Sequence, residues 1–298
     1  MRAAESGEAE DMGDAPEEPR PGDGSGGRAG AEVRAEDLGL TGPRGEVFAD
    51  ICFAAPAGSL IALEGPSGSG RTCLLLALTG RMRTTSGHAV VGGHRLPGEL
   101  AAVRRVSALG AVPGVTDLEP GLSVAEQLRE QMLLRRRFDG SLRALFTPPA
   151  RRAAASRARL DASLSAAGLD LDSLPKGPRT LVRDLERLES LRLSVAIALL
   201  GEPRLLAVDD VGLKLADDEA GQAWSLLRSV AEAGTTVLAA CSQAPGDALT
   251  VCTGRAPAGA SRNSSAGRGA GNEEGPAREP GTTTEGDAAD ALAEACRA

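Results

Sequence analysis

Lysine is almost missing from this chain. Of 33 basic residues only Lys176 and Lys214 are lysines and the rest are arginines, a bias that, with abundant Ala and Gly, suggests a GC-rich genome. An arginine where a motif expects lysine therefore reads first as composition. The two histidines, His88 and His94, lie far along the chain from the motifs described below and read as ordinary surface residues. Five cysteines (Cys52, Cys73, Cys241, Cys252 and Cys296) show neither a C-x-x-C pair nor metal-ligand spacing. That odd, scattered set, in a chain whose acidic N-terminus carries no apolar leader, points to reduced thiols and a cytoplasmic location. No apolar run approaches the roughly 18 residues needed to cross a bilayer. The chain is expected to be soluble and to meet a membrane only through a partner.

A basic face is lacking too. The formal net charge is −8, with −5 in residues 1–30 and −2 in residues 253–298, which leaves roughly −1 for the segment between. The acidity lives in the tails, and no nucleic-acid partner is expected. With 298 residues and 42% apolar side chains, the chain can bury one sizeable core or two modest ones.

What is present is a glycine-rich stretch, Gly65-Pro66-Ser67-Gly68-Ser69-Gly70-Arg71-Thr72. It follows the apolar run Ser59–Leu63 and precedes Cys73–Leu78, a strand–turn–helix setting suited to binding phosphate. Glycines at 65, 68 and 70 permit a tight path on which successive backbone N–H groups converge on an anion. The positive end of the following helix adds to them. The form is G-x-x-x-x-G-K-[ST] with Arg71 in the lysine position.

Around this stretch the chain divides into three. Residues 1–30, poor in large apolar side chains, read as a disordered acidic tail; residues 253–298 read as a second disordered tail with a short helix at Asp287–Arg297. The folded part is residues 31–252. Within it, Glu46–Phe53 and Ser59–Leu63 read as strands, and the helix after the glycine stretch runs to about Met82. Residues 84–112 read as short strands separated by Gly-Gly and Pro-Gly turns. Ser123 with Glu126 three residues on forms a capping box for a helix to about Arg137. Further helices are expected at Ala150–Ala167, about Asp184–Leu200 and Asp217–Ala233, and strands at Arg204–Val208 and Thr235–Ala240. Strands alternating with helices imply an α/β fold: a P-loop core with a mostly parallel sheet, a β-rich arm, and a helical subdomain inserted at about 120–200.

The order of these parts resembles the nucleotide-binding domain of an ATP-binding cassette (ABC) protein, over roughly residues 33–252. Gly65–Thr72 is similar to Walker A, Leu122–Leu128 to the family's L-T-V-x-E-x-L, and Leu185 to Pro203 to the signature helix. Leu205–Asp210 is similar to Walker B, and Thr236–Leu238 to the strand leading to the H-loop. The resemblance implies MgATP as ligand, bound by Gly65, Ser67, Gly68, Ser69, Gly70, Arg71, Thr72 and Cys73, with Mg²⁺ held by Thr72 and Asp209. Asp210 falls in the place of the general base that polarises the attacking water. The partners implied are a separately encoded integral membrane permease and a second ABC subunit, which would place the chain peripherally on the inner face of the cell membrane.

Several positions depart from the family pattern. Asp210 is one methylene shorter than the family's glutamate. The Q-loop glutamine falls on Gly114, and the H-loop histidine on Ser242. The signature L-S-G-G-Q is replaced by Leu185-Glu186-Arg187-Leu188-Glu189, which sets a carboxylate where the family's serine meets the γ-phosphate of the other subunit. That favours a heterodimer over a homodimer. No aromatic lies in Leu40–Arg44 to stack on adenine, although Arg44 could do so. Two readings follow, an ATP-hydrolysing transporter subunit and a nucleotide-binding but non-hydrolysing regulatory or structural module. A P-loop kinase would require an acceptor-binding lid in place of the helical insert.

Overall fold

The described residues begin with a hairpin, because apolar residues from Val33 onward and from Phe48 onward bury one face each. In the computed structural model, which describes residues 29–138 and 148–254, β1 (Val33–Gly42) and β2 (Gly45–Ala55) pair antiparallel. Next come β3 (Leu60–Glu64) and α1 (Arg71–Leu78), then β4 (Ser86–Val91) and β5 (His94–Leu96). The last two return to the hairpin and complete a four-stranded sheet in the order β2-β1-β4-β5. A short helix, α2 (Leu100–Val106), leads into β6 (Ser107–Leu109). Three helices follow, α3 (Val124–Phe138), α4 (Pro149–Ala166) and α5 (Arg187–Leu199). The described chain finishes with β7 (Leu205–Val208), α6 (Asp217–Glu232), β8 (Thr236–Cys241) and β9 (Leu249–Cys252). Strands β6, β7, β8, β3 and β9, in that order, form a second sheet whose every pairing is parallel.

The parallel sheet is covered on both faces, so its strands are continuously apolar, and their period of two divides the interior into two cores. Ile61, Leu63, Leu205, Ala207, Leu238 and Ala240 face α1 and the antiparallel arm. Their neighbours Leu206, Val208, Val237 and Ala239 face the helical side, packing with α5 and α6. Helix α1 sits deep in the first core, with Leu74, Leu75 and Leu78 fully buried. The fold is the expected α/β architecture, a parallel core sheet with a β-rich arm.

Four differences from the sequence expectations have local causes. Helix α1 stops at Leu78 rather than near Met82. Thr79 Oγ1 donates back to the Leu75 carbonyl at 2.9 Å, and Gly80, at φ 73°, closes a Schellman motif. In it the Gly80 N–H donates to Ala77 O (3.0 Å) and the Arg81 N–H to Leu76 O (2.8 Å). Residues 84–112 are not all strand: Leu100–Val106 is helical, an element too short for its periodicity to show. The described fold also starts earlier than expected, for the Arg204 guanidinium donates to Ala29 O (2.9 Å) and Gly30 O (3.1 Å). It continues beyond Cys252, since Thr253 is buried against β3. The expectations for residues 1–28, and for the tail from residue 255 with its helix at Asp287–Arg297, lie outside the described residues. His88 and His94 stand on the arm as expected, with Nε2 of His88 3.3 Å from Glu36 and Nδ1 of His94 3.8 Å from Glu99.

A Cβ on Gly80 would lie 2.6 Å from the Leu100 carbonyl oxygen, in a backbone region that disfavours side chains. Gly80→Ala is therefore expected to destabilise the protein by about 2 kcal/mol or more, measured as a lowered urea midpoint with the slope unchanged.

Candidate nucleotide-binding site

The glycine stretch leaves the sheet between two neighbouring strands. Strand β3 is flanked by β8 and β9, with Glu64 in register with Cys241 and Cys252. The loop is tied to both neighbours: the Gly65 N–H donates to Cys241 O (3.3 Å), and the Thr253 N–H donates to Glu64 O (2.8 Å). Ser69 Oγ and Thr253 Oγ1 share a hydrogen bond of 2.7 Å, and a Cβ on Gly65 would run into both of these hydroxyls. Gly70, at φ 83°, is the residue from which α1 starts, and a Cβ there would lie 2.6 Å from Val47 O of β2. The arm thus backs the loop from one side and Thr253 from another. At Gly68 a Cβ would meet nothing within 4 Å, so the loop is open at its apex.

The first two residues of α1 face the first two residues after β7. Thr72 Oγ1 donates to Asp209 Oδ2 at 2.6 Å, and Arg71 Nη2 donates to Asp210 Oδ1 at 3.2 Å. The Asp210 N–H in turn donates to Asp209 Oδ1 (2.9 Å). Arg71 is largely buried, with 12% of its side chain exposed against 26% for Asp210, and its Nη1 is buried without a hydrogen-bond partner among the described residues. Burial raises the Asp209 carboxyl above its ordinary value, with the Asp210 charge adding to the effect. The bonds from Thr72 and the Asp210 N–H and the charge of Arg71 act against it. Burial and the Asp209 charge likewise raise the Cys73 thiol, and burial and Glu64 push Cys241 up to about 11.

These residues fit an anion and a hard divalent cation. A glycine loop open at its apex, the start of α1 and a buried guanidinium suit phosphate. A hydroxyl beside a buried, desolvated carboxylate offers the oxygen ligands that Mg²⁺ prefers. Ser69 differs from the expectation in one respect: its hydroxyl holds Thr253, and its N–H closes a turn onto Pro66 O (3.2 Å). Thr253 and Val47 were not singled out by sequence reasoning. Thr253 joins the loop only through the pairing of β9 with β3, and Val47 acts through a backbone carbonyl that any residue would supply.

A cavity of about 190 Å³ lies beside the two aspartates, lined by Val112, Pro113, Arg187 and Ser190 among others; Gly114, Glu186 and Ser242 are not among its lining residues. Gly114, at φ 75°, is exposed, and its N–H donates to the Asp117 carboxylate (3.2 and 3.1 Å). Glu186 is the exposed residue preceding α5, and its N–H is accepted by the Glu189 carboxylate at 2.9 Å, a favourable acidic start to a helix. Ser242 is exposed just after β8.

An acid whose folded-state pKa is raised holds its proton more tightly in the native than in the unfolded chain, so stability falls as pH rises through that interval. Asp209→Asn is accordingly expected to raise the Tm of the chelator-treated protein at pH 7 by roughly a few degrees. The gain should shrink as the pH is lowered toward the ordinary aspartate range, because the native carboxyl, held above that range, takes up its proton first. Thermal unfolding at pH 7 and in that lower range checks this, and a gain indifferent to pH would contradict it.

Comparison with known proteins places these features in a family. The family model described as ABC transporter matches residues 48–211, more than half of the chain. Nod factor export ATP-binding protein I of Cupriavidus pinatubonensis is 30% identical over 192 residues, covering 64% of this chain and 53% of that protein. The uncharacterized ABC transporter ATP-binding protein YphE of Escherichia coli is 30% identical over 193 residues, covering 63% of this chain and 35% of the relative. The chain thus spans about half, or less, of the length of these relatives. Among solved structures, a dimeric bacterial ABC transporter cassette shares the fold with a TM-score of 0.56 at 19% identity, over 74% of this chain and 94% of its own. Among the described residues no helix is long and apolar enough to cross a membrane. A glycine loop opening a buried helix, two aspartates following β7, one strand removed from β3, and the matched sequence agree, and the chain belongs to the ABC transporter family.

Proposed function

We propose that this chain binds MgATP in its glycine loop as the ATP-binding subunit of an ABC-type complex. In this reading it hydrolyses ATP weakly and works on the cytoplasmic face of the membrane against a separately encoded integral membrane permease. The observation that carries the reading is the Thr72–Asp209 bond of 2.6 Å, which joins residues 137 positions apart at the mouth of the loop. Backbone N–H groups of the stretch Gly68 to Thr72, other than that of Ser69, which is bonded to Pro66 O, receive the phosphates, and Thr72 and Asp209 hold the cation. Bound there, Mg²⁺ neutralises charge on the phosphate oxygens.

Weak hydrolysis is inferred from the groups around the aspartates. Asp210 is a short base, and a displacement of about 1 Å costs on the order of a hundredfold in rate. Gly114 and Ser242 offer neither the amide nor the imidazole that the family places there. Glu186 presents a carboxylate where the family geometry brings in a γ-phosphate from the opposite subunit. Two like charges about 4 Å apart at an effective dielectric near 20 repel by about 4 kcal/mol. Pairing with a different cassette is therefore favoured over a homodimer. One observation supports the alternative of a non-hydrolysing regulatory or structural module: the Asp210 carboxylate is engaged by Arg71.

Equilibrium binding of a non-hydrolysable ATP analogue beside single-turnover hydrolysis tests the reading. The expected result is Mg²⁺-dependent binding with slow phosphate release. Binding with no release over hours would favour the regulatory module, and no binding at millimolar ATP would sink both readings. Sedimentation with MgATP is expected to show the wild-type chain monomeric, and Glu186→Ser to increase self-association; an unchanged profile for the variant would remove Glu186 as the obstacle.

A further inference from the structure

We infer that Arg71 and Asp210 form a latch across the nucleotide site, in which the aspartate competes with bound phosphate for the guanidinium. The inference rests on the proposed phosphate-binding role of the glycine loop and adds a regulatory element to it. Two rungs join the start of α1 to the end of β7, Thr72 to Asp209 and Arg71 to Asp210. The second is a single hydrogen bond of 3.2 Å with only Nη2 engaged, whereas a bidentate pair would use two parallel N–H groups. Nη1 is left as a buried donor with no hydrogen-bond partner among the described residues, an arrangement that costs stability until another acceptor arrives.

The two partners differ in freedom. Asp210 stands at φ 47°, and its backbone is held at both ends: its N–H donates to Asp209 Oδ1 (2.9 Å), and its carbonyl accepts the Leu213 N–H (3.1 Å). The next residue is pinned as well, through Val211 N–H to Ala240 O (2.9 Å). Arg71 has a fixed backbone at the start of α1 but a long side chain with several rotatable bonds, so the arginine is the member that moves. The residue types are complementary. A long forked cation faces a carboxylate one methylene shorter than glutamate, and the reach of the arginine brings the two within 3.2 Å. A phosphate entering the loop gains the guanidinium only as Asp210 loses it, and the freed carboxylate then stands next to the anion. Wild-type affinity for phosphate is therefore held down by Asp210 acting through Arg71.

The test is a double-mutant cycle on calorimetric binding of inorganic pyrophosphate in chelator-treated buffer, using wild type, Asp210→Asn, Arg71→Gln and the double variant. Asp210→Asn is expected to tighten binding about tenfold when Arg71 is present and less than twofold in the Arg71→Gln background. Binding by Asp210→Asn alone, with wild type undetectable, is the same result in stronger form. An equal gain in both backgrounds overturns the latch, because Asp210 would then act only as a nearby negative charge; so does the absence of any gain. If no variant binds pyrophosphate and wild type also fails to bind an ATP analogue with Mg²⁺, the proposed function falls. In any case where pyrophosphate binding is undetectable throughout, urea unfolding of the same four proteins decides the latch. A coupling of threefold or more in the unfolding equilibrium constant upholds the pair, and additive effects overturn it.

Discussion

The parallel pairing of β3 between β8 and β9 is the constraint on which the site depends. Parallel strands share a direction, so their C-terminal ends emerge along one edge of the sheet, where α/β folds place their ligands. The register of Glu64 with Cys241 and Cys252 brings Gly65, Ser242 and Thr253 to that edge. Strand β7, with Val208 opposite Ala239, delivers Asp209 and Asp210 to the same place. The glycine loop starts where β3 stops between the ends of β8 and β9, and the Ser69–Thr253 bond holds it there.

Coverage of both sheet faces then sets the electrostatics. Apolar side chains on each face exclude water up to the strand ends, and Asp209 begins where Val208 finishes, so its carboxyl is desolvated. A buried carboxylate needs compensation, and here the hydroxyl of Thr72, the N–H of Asp210 and the charge of Arg71 provide part of it. The same burial keeps the Cys73 and Cys241 thiols protonated, so both behave as small packing groups beside the loop.

The two helix starts near the site behave differently. At α1 the backbone is stripped by Gly68 and Gly70, the apex is open, and positive character is left available to an anion. At α5 the first turn is answered within the chain by Glu186 and Glu189, so the helix end presents negative charge outward. That contrast underlies the proposal that this chain offers a phosphate site of its own while being poorly suited to close over that of a second copy.

The glycine stretch, the buried strands before and after it, the order of helices and the paired aspartates were legible in the residues, because periodicity, turn chemistry and motif spacing are local properties. The α/β class and the family followed from their order. What local pattern missed was contact. The end of α1 at Leu78 depends on Thr79 and Gly80 acting together, and α2 is too short to announce itself. Thr253 belongs to the loop only because β9 lies alongside β3. Likewise Arg71 and Asp210 each looked like a separate departure from a motif. The tertiary structure brings them together from 139 positions apart, since only the assembled sheet decides which strand end faces which helix start.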